Sequence, residues 1–123
     1  MSVKRQSSVR RAQKESLYYR EISKLFQQIF MDDKSLDGLY INSVKLSPDK
    51  SVCNVLFFSD NGQEHFKKLL PDLILYKPSL RKAISQNIRS RYTPQLKFKY
   101  DVQFEKQQKI ETLFDRLKVQ NKL

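Results

Sequence analysis

Arg91-Tyr92-Thr93-Pro94-Gln95-Leu96-Lys97-Phe98-Lys99-Tyr100-Asp101 is the stretch from which the fold of this chain is read. After Pro94, the apolar Leu96, Phe98 and Tyr100 alternate with Gln95, Lys97 and Lys99. That two-residue period belongs to a strand with one face buried and the other wet. Here the wet face is positively charged. From Lys77 to Tyr100 the chain carries seven Lys/Arg and no carboxylate. Pro78 suits the first turn of a helix, and Leu80, Ala83, Ile84 and Ile88 form its stripe. The spacing therefore predicts a basic helix, bearing Arg81, Lys82, Arg89 and Arg91, that feeds a basic strand.

Working outward, Val52–Ser59 is almost continuously apolar, as expected of the central strand of a small sheet. Asp60-Asn61-Gly62 breaks it, and a helical region with Phe66, Leu69, Leu70 and Leu73 follows, interrupted by Pro71. Leu39–Ser47 reads as another strand whose apolar phase slips between Ile41 and Val44, so a bulge is expected near Asn42-Ser43. Ser47-Pro48-Asp49-Lys50 is a turn with proline at its preferred second position. The first helix is expected from a cap at Ser7 or Ser8 to about Met31. Tyr18, Ile22, Leu25, Phe26, Ile29 and Phe30 form its stripe. Arg11 falls on the same face, and a core rejects it. The first turns should therefore overhang the body and carry Arg10, Arg11 and Lys14 outward, behind a loose leader at residues 1–6. Val102–Leu117 reads as a closing helix with Phe104, Ile110, Leu113 and Phe114, and Lys118–Leu123 as a frayed end.

The resulting order is α-β-β-α-α-β-α. The first two strands pair antiparallel across the Pro48 turn. The second and third are parallel, through a right-handed crossover. The fold class is α+β: a three-stranded sheet covered by helices on one face.

The net charge of +11 over 123 residues is unevenly spread. Residues 1–24 hold seven Lys/Arg against Glu15 and Glu21, and Lys77–Tyr100 holds the other excess. Segregated charge of this kind points to a polyanionic partner. A single cysteine, Cys53, rules out an internal disulfide and fits a reducing compartment. No apolar run approaches the ~20 residues that span a bilayer. The positive N-terminus lacks the apolar segment of a secretory signal, although residues 1–14 share the acid-free composition of organellar transit peptides. The cytoplasm is the expected compartment. On the first helix the apolar stripe begins only after the basic turns, which suits docking on a core rather than lying in a membrane.

No catalytic constellation is present. His65 is the only histidine and is expected at the surface; with no Cys/His cluster it builds no metal site. Cys53 sits among apolar residues, as an inert buried thiol does. Asp32, Asp33 and Asp37 lack EF-hand spacing. Gly38 and Gly62 are the only glycines, too few for a phosphate loop. No cofactor is expected. The basic set is more informative: Arg81, Lys82, Arg89, Arg91, Lys97 and Lys99, helped by Lys77, could engage several phosphates at once. Tyr92 reads either as a stacking platform for an unpaired base or as a core or hinge aromatic before Pro94. These features leave open RNA, duplex DNA and an acidic protein partner.

Leu80-Arg81, the run Arg91 to Phe98 with Asp101, the Ser47-Pro48-Asp49 turn, the Tyr18–Phe30 stripe, and Ile110 with Leu113 together resemble the ribosome-binding factor A family over about residues 17–114. The resemblance implies a type II KH-like fold, α-β-β-α-α-β with an added C-terminal helix. It divides the chain into a basic N-terminal extension (1–16), a KH-like RNA-binding domain (17–117) and a C-terminal tail (118–123). It also implies a non-enzymatic assembly factor that binds the immature small ribosomal subunit and its 16S rRNA. Such a factor assists 5′-end processing and supports growth after cold shock. The expected partner is the free 30S subunit rather than the 70S ribosome, with an assembly GTPase as a further partner and the chain acting as a monomer. In place of the glycine loop that clamps RNA, the family has an interhelical kink of the form alanine-any-glycine. Here the kink is expected at Tyr76-Lys77-Pro78, which has neither residue, and proline takes over the breaking of the helix.

Overall fold

The computed structural model describes residues 2–121. Its elements are α1 (Ser2–Asp32), a short 3-10 turn (Lys34–Leu36), β1 (Leu39–Leu46), β2 (Val52–Ser59), α2 (Gln63–Ile74), α3 (Lys77–Asn87), β3 (Gln95–Tyr100) and α4 (Val102–Asn121). The sheet order is β1-β2-β3, with β1 antiparallel and β3 parallel to the central β2. This is the expected KH-like α+β arrangement. The register shifts between Ile41 and Ser43, where the phase slip located the bulge.

The alternation in the strands decides where the core lies. Val44, Leu46, Cys53, Val55, Phe57, Leu96, Phe98 and Tyr100 are all buried on one face of the sheet. Tyr18, Ile22 and Phe26 of α1, Phe66 and Leu73 of α2, and Leu80 and Ile84 of α3 cover that face. Burial drives the Cys53 thiol up to about 12, so it is inert, as its apolar neighbours suggested.

Several boundaries differ from the sequence expectation. The first helix starts at Ser2, so Ser7 and Ser8 lie inside it and Ser2–Gln6 are helical rather than a loose leader. Met1 lies outside the described residues. Pro71 does not interrupt α2, which continues to Ile74; the proline only removes one backbone donor from its last turns. The break between α2 and α3 falls at Leu75-Tyr76, and Lys77 and Pro78 already belong to the first turn of α3. The Tyr76 hydroxyl donates to Asp33 Oδ2 at 2.8 Å and fastens this kink to the loop after α1. Asp33 also accepts from the Ser35 backbone and hydroxyl, and these bonds lower its pKa. His65 is half-buried rather than a surface residue, with Nδ1 2.7 Å from the Oγ of the buried Ser59. Its ring also presses on Gly38, where φ is +91° and an added Cβ would stand 2.9 Å from His65 Cε1.

The C-terminal helix departs most. α4 runs to Asn121, so Lys118–Asn121 are helical rather than frayed; Lys122 and Leu123 lie outside the described residues. Phe104 packs edge-on against Phe58 with ring centroids 4.9 Å apart. Ile110, Leu113 and Phe114 are each more than half exposed, so the helix projects instead of closing the core. Asp101 caps it by accepting from Phe104 N at 3.0 Å, and the bulge residue Asn42 holds the other carboxylate oxygen at 2.8 Å. The bulge in β1 thus fixes where α4 begins.

The β1–β2 turn is organised by Asp49, which accepts from the Ser47 hydroxyl (2.7 Å) and from the Ser51 amide and hydroxyl (3.1 and 2.8 Å). These bonds hold its carboxyl at about 2, below the ordinary 3.8. A depressed folded pKa contributes stability that is complete above the unfolded value and disappears as pH falls through the folded one. Asp49→Ala is therefore expected to destabilise the chain near neutral pH, with the difference from the parent closing between about pH 4 and pH 2. Denaturant unfolding at a series of pH values would check it; a difference unchanged at pH 2 would contradict this account.

Candidate nucleic-acid interface

The basic residues singled out by the sequence are distributed over two adjoining surfaces. The first is one end of the molecule. Glu15 of α1 accepts from Leu46 N at 2.7 Å, which places the early turns of that helix beside the end of β1. Gln95 N donates to Ser51 O at 2.9 Å, so the segment entering β3 lies at the same end. The helix rises ~1.5 Å per residue, so the turns from Ser2 to Lys14 reach progressively past this end. Arg10 is exposed, whereas Arg11 and Lys14 keep part of their surface covered.

Arg89, Arg91 and Tyr92 share this end, but they are not on the helix where periodicity put them. α3 stops at Asn87 because Ile88 takes extended backbone angles and turns its side chain into the core. The two arginines and the tyrosine therefore lie in an exposed loop. Tyr92 is 74% exposed, which excludes the core reading, and the Arg91 guanidinium stands 5.7 Å from its ring centroid. Lys82 is exposed on α3.

Arg81 and Lys77 do different work. Arg81 donates from Nε to Pro94 O (3.3 Å) and from Nη2 to Thr93 O (3.2 Å), bracing the loop that carries Arg91 and Tyr92. Arg81→Ala is expected to cost about 1 kcal/mol of stability through these two bonds. Lys82→Ala, with no such partner among the described residues, should cost little; denaturation midpoints of both variants would test the contrast. Lys77 lies half-buried with Nζ 5.1 Å above the Phe98 ring, on the helical side of the sheet.

Lys97 and Lys99 occupy the second surface, the open face of the sheet. Register brings to them two residues that sequence reasoning passed over: Lys45 pairs with Asn54, and Asn54 pairs with Lys97. The exposed Lys45 extends the positive row across all three strands. Pairing register is non-local, so no pattern within β1 could have signalled it.

Among the described residues, none of these basic side chains forms an ion pair; the three pairs present are Lys24–Glu21, Lys67–Glu64 and Lys109–Glu105. Carboxylates collect at the other end, where Asp33 holds the kink, Asp60 accepts from the Tyr40 hydroxyl at 3.2 Å and Asp101 caps α4. The unpaired arginines of the Arg89–Tyr92 end would draw a polyanion there. No helix among the described residues is long and apolar enough to cross a membrane.

The sequence profile of the ribosome-binding factor A family matches residues 10–114. A ribosome-binding factor A from Geobacter sp. (strain M21) is 29% identical over 100 residues, covering 79% of this chain and 84% of the relative. One from Thermosipho melanesiensis is 36% identical over 85 residues, covering 68% and 67%. One from Prochlorococcus marinus (strain MIT 9301) is 28% identical over 116 residues, covering 94% and 89%. The crystal structure of ribosome-binding factor A from Thermus thermophilus superposes with a TM-score of 0.61 at 27% identity, covering 72% of this chain and 92% of that one.

Proposed function

The chain belongs to the ribosome-binding factor A family, and from that premise we propose that it binds the maturing small ribosomal subunit through 16S rRNA. It acts stoichiometrically, not as an enzyme. By holding one rRNA conformation it assists late maturation and processing of the precursor 5′ end in the cytoplasm, and it leaves before the subunit enters assembled ribosomes. An assembly GTPase is a natural agent of that release.

The observation that carries this reading is the exposed, unpaired Arg89-Ser90-Arg91-Tyr92 loop beside the overhanging start of α1. Arg10, Arg11, Lys14, Lys82, Arg89 and Arg91 would hold phosphates, and Tyr92 would stack on an unpaired base. Lys97 and Lys99 add contacts on the adjoining face. Lys77 and Arg81, occupied within the fold, contribute mainly by setting the shape of the loop and the kink. Phosphate contacts position a protein without reading sequence, so specificity comes from the folded shape of the rRNA.

Sedimentation of tagged protein through a sucrose gradient tests the proposal. Co-migration with free 30S subunits, lost at high salt and absent from 70S fractions, is the expected result. Retention on duplex DNA in preference to small subunits, or binding that survives complete nuclease digestion, would refute it.

A further inference from the structure

The face of the sheet opposite the core is open, and its side chains form rows fixed by register. Lys45, Asn54 and Lys97 make one row, and Ser43, Leu56 and Lys99 the next. Tyr40 and Phe58 close the face at its far end. No strand residue on this face is acidic. Building on the reading that the partner is RNA, we propose that this face is a separate binding surface for a single-stranded RNA segment. The backbone lies on the three lysines and an unpaired base lies on the Tyr40–Phe58 ledge.

Charge complementarity supplies the first half of the argument. Lys97 and Lys99 are two residues apart on one strand, ~6.6 Å, and Lys45 lies two strand spacings away, ~10 Å. Three lysines anchored this close together put one sign of charge on a single patch, which an anion lying across them would neutralise. Between them, the Asn54 amide nitrogen reaches Lys45 O at 3.5 Å, while its carbonyl oxygen Oδ1 is buried without a partner.

The aromatic ledge supplies the second half. The Tyr40 ring lies nearly parallel to Phe58, centroids 6.5 Å apart and planes 23° apart, and Phe104 braces Phe58 from the other side. Tyr40 is nonetheless 50% exposed, and its hydroxyl is pinned by Asp60. A rigid, half-exposed ring is a stacking platform, and only an unpaired base offers a free face to it. Asp60 and Asp101 flank the ledge and repel phosphate there, so a neutral base belongs at that end and the backbone on the lysines. An acidic peptide would find attraction on the lysines and repulsion at the ledge.

The test uses the full chain and a fluorescently labelled 10-nucleotide RNA of mixed sequence, free or annealed to its complement, read by anisotropy. Tyr40→Ala is expected to weaken single-strand binding about fivefold or more and to leave duplex binding unchanged, with Tyr40→Phe close to the parent. Lys97→Gln with Lys99→Gln should lower single-strand affinity and flatten its salt dependence. Thermal melting confirms that the variants are folded. Single-strand binding equal to the parent in both the tyrosine and the lysine variants overturns the inference, as does displacement of the RNA by polyglutamate equally from the parent and from Tyr40→Ala. Either result leaves the small-subunit reading intact if the parent co-migrates with free 30S subunits and Arg89→Glu with Arg91→Glu weakens that association. Unchanged co-sedimentation in that loop variant instead removes the loop assignment, and failure of the parent itself to co-migrate with free 30S subunits sinks the small-subunit reading.

Discussion

Phe57→Ala is expected to lower the free energy of unfolding by about 3–5 kcal/mol, the largest effect of any single substitution considered for this chain. Phe57 is fully buried in the second half of the central strand. Its ring lies edge-on to Phe26 of α1 at 5.5 Å and to Phe98 of β3 at 5.4 Å, and tilted against Phe66 of α2 at 5.6 Å. One side chain therefore joins two helices and two strands, and three rings would lose contacts around the cavity left behind. A small domain has only ~5–15 kcal/mol to lose, so the variant should be marginal at physiological temperature. Urea denaturation of Phe57→Ala beside Phe57→Leu separates the terms. The leucine keeps much of the volume and should recover much of the loss. Equal destabilisation by both would mean that aromatic geometry, not volume, dominates.

The second large effect concerns binding. Arg89→Glu with Arg91→Glu is expected to weaken association with small subunits by on the order of tenfold or more at moderate salt, and to reduce the salt slope by about two. Both side chains are exposed and neither has an ion-pair partner among the described residues, so stability should change little. Reversal also removes the Arg91 cation from the Tyr92 ring and so loosens the proposed stacking residue. Lys67→Glu is the control. Its ammonium already pairs with Glu64 at 3.5 Å on α2, away from the loop, and its reversal should leave binding nearly unchanged. Co-sedimentation at several salt concentrations distinguishes the two. If both variants lose affinity equally, net charge rather than the loop governs association.

Much of the fold was legible because each strand announces itself locally. Leu96, Phe98 and Tyr100 are buried and Lys97 and Lys99 exposed, as their alternation required. The antiparallel turn and the bulge also followed from patterns within single segments, and the parallel crossover from the order of the elements. Legibility failed where an outcome depended on what a segment meets. Ile110, Leu113 and Phe114 have helical spacing, and α4 is a helix, but periodicity does not say whether anything covers the stripe. The basic candidates behaved likewise. Composition located them in Lys77–Tyr100, but it could not show that Ile88 would end the helix and throw Arg89 and Arg91 into a loop. Nor could it show that Arg81 would be occupied by Thr93 and Pro94. Lys45 carried no local signal at all.

β3 lies at the edge of the sheet, and an unpaired strand edge is a template onto which another chain can add itself. At the opposite edge, on β1, Glu15 occupies the backbone amide of Leu46. At β3 the deterrent is electrostatic, since Lys97 and Lys99 set like charge against any second copy that approaches to pair. Protection of the sheet edge and the proposed RNA contact thus draw on the same two side chains. The sheet edge is quiet only while those lysines remain, and a lineage without the proposed RNA partner would still be under pressure to keep them.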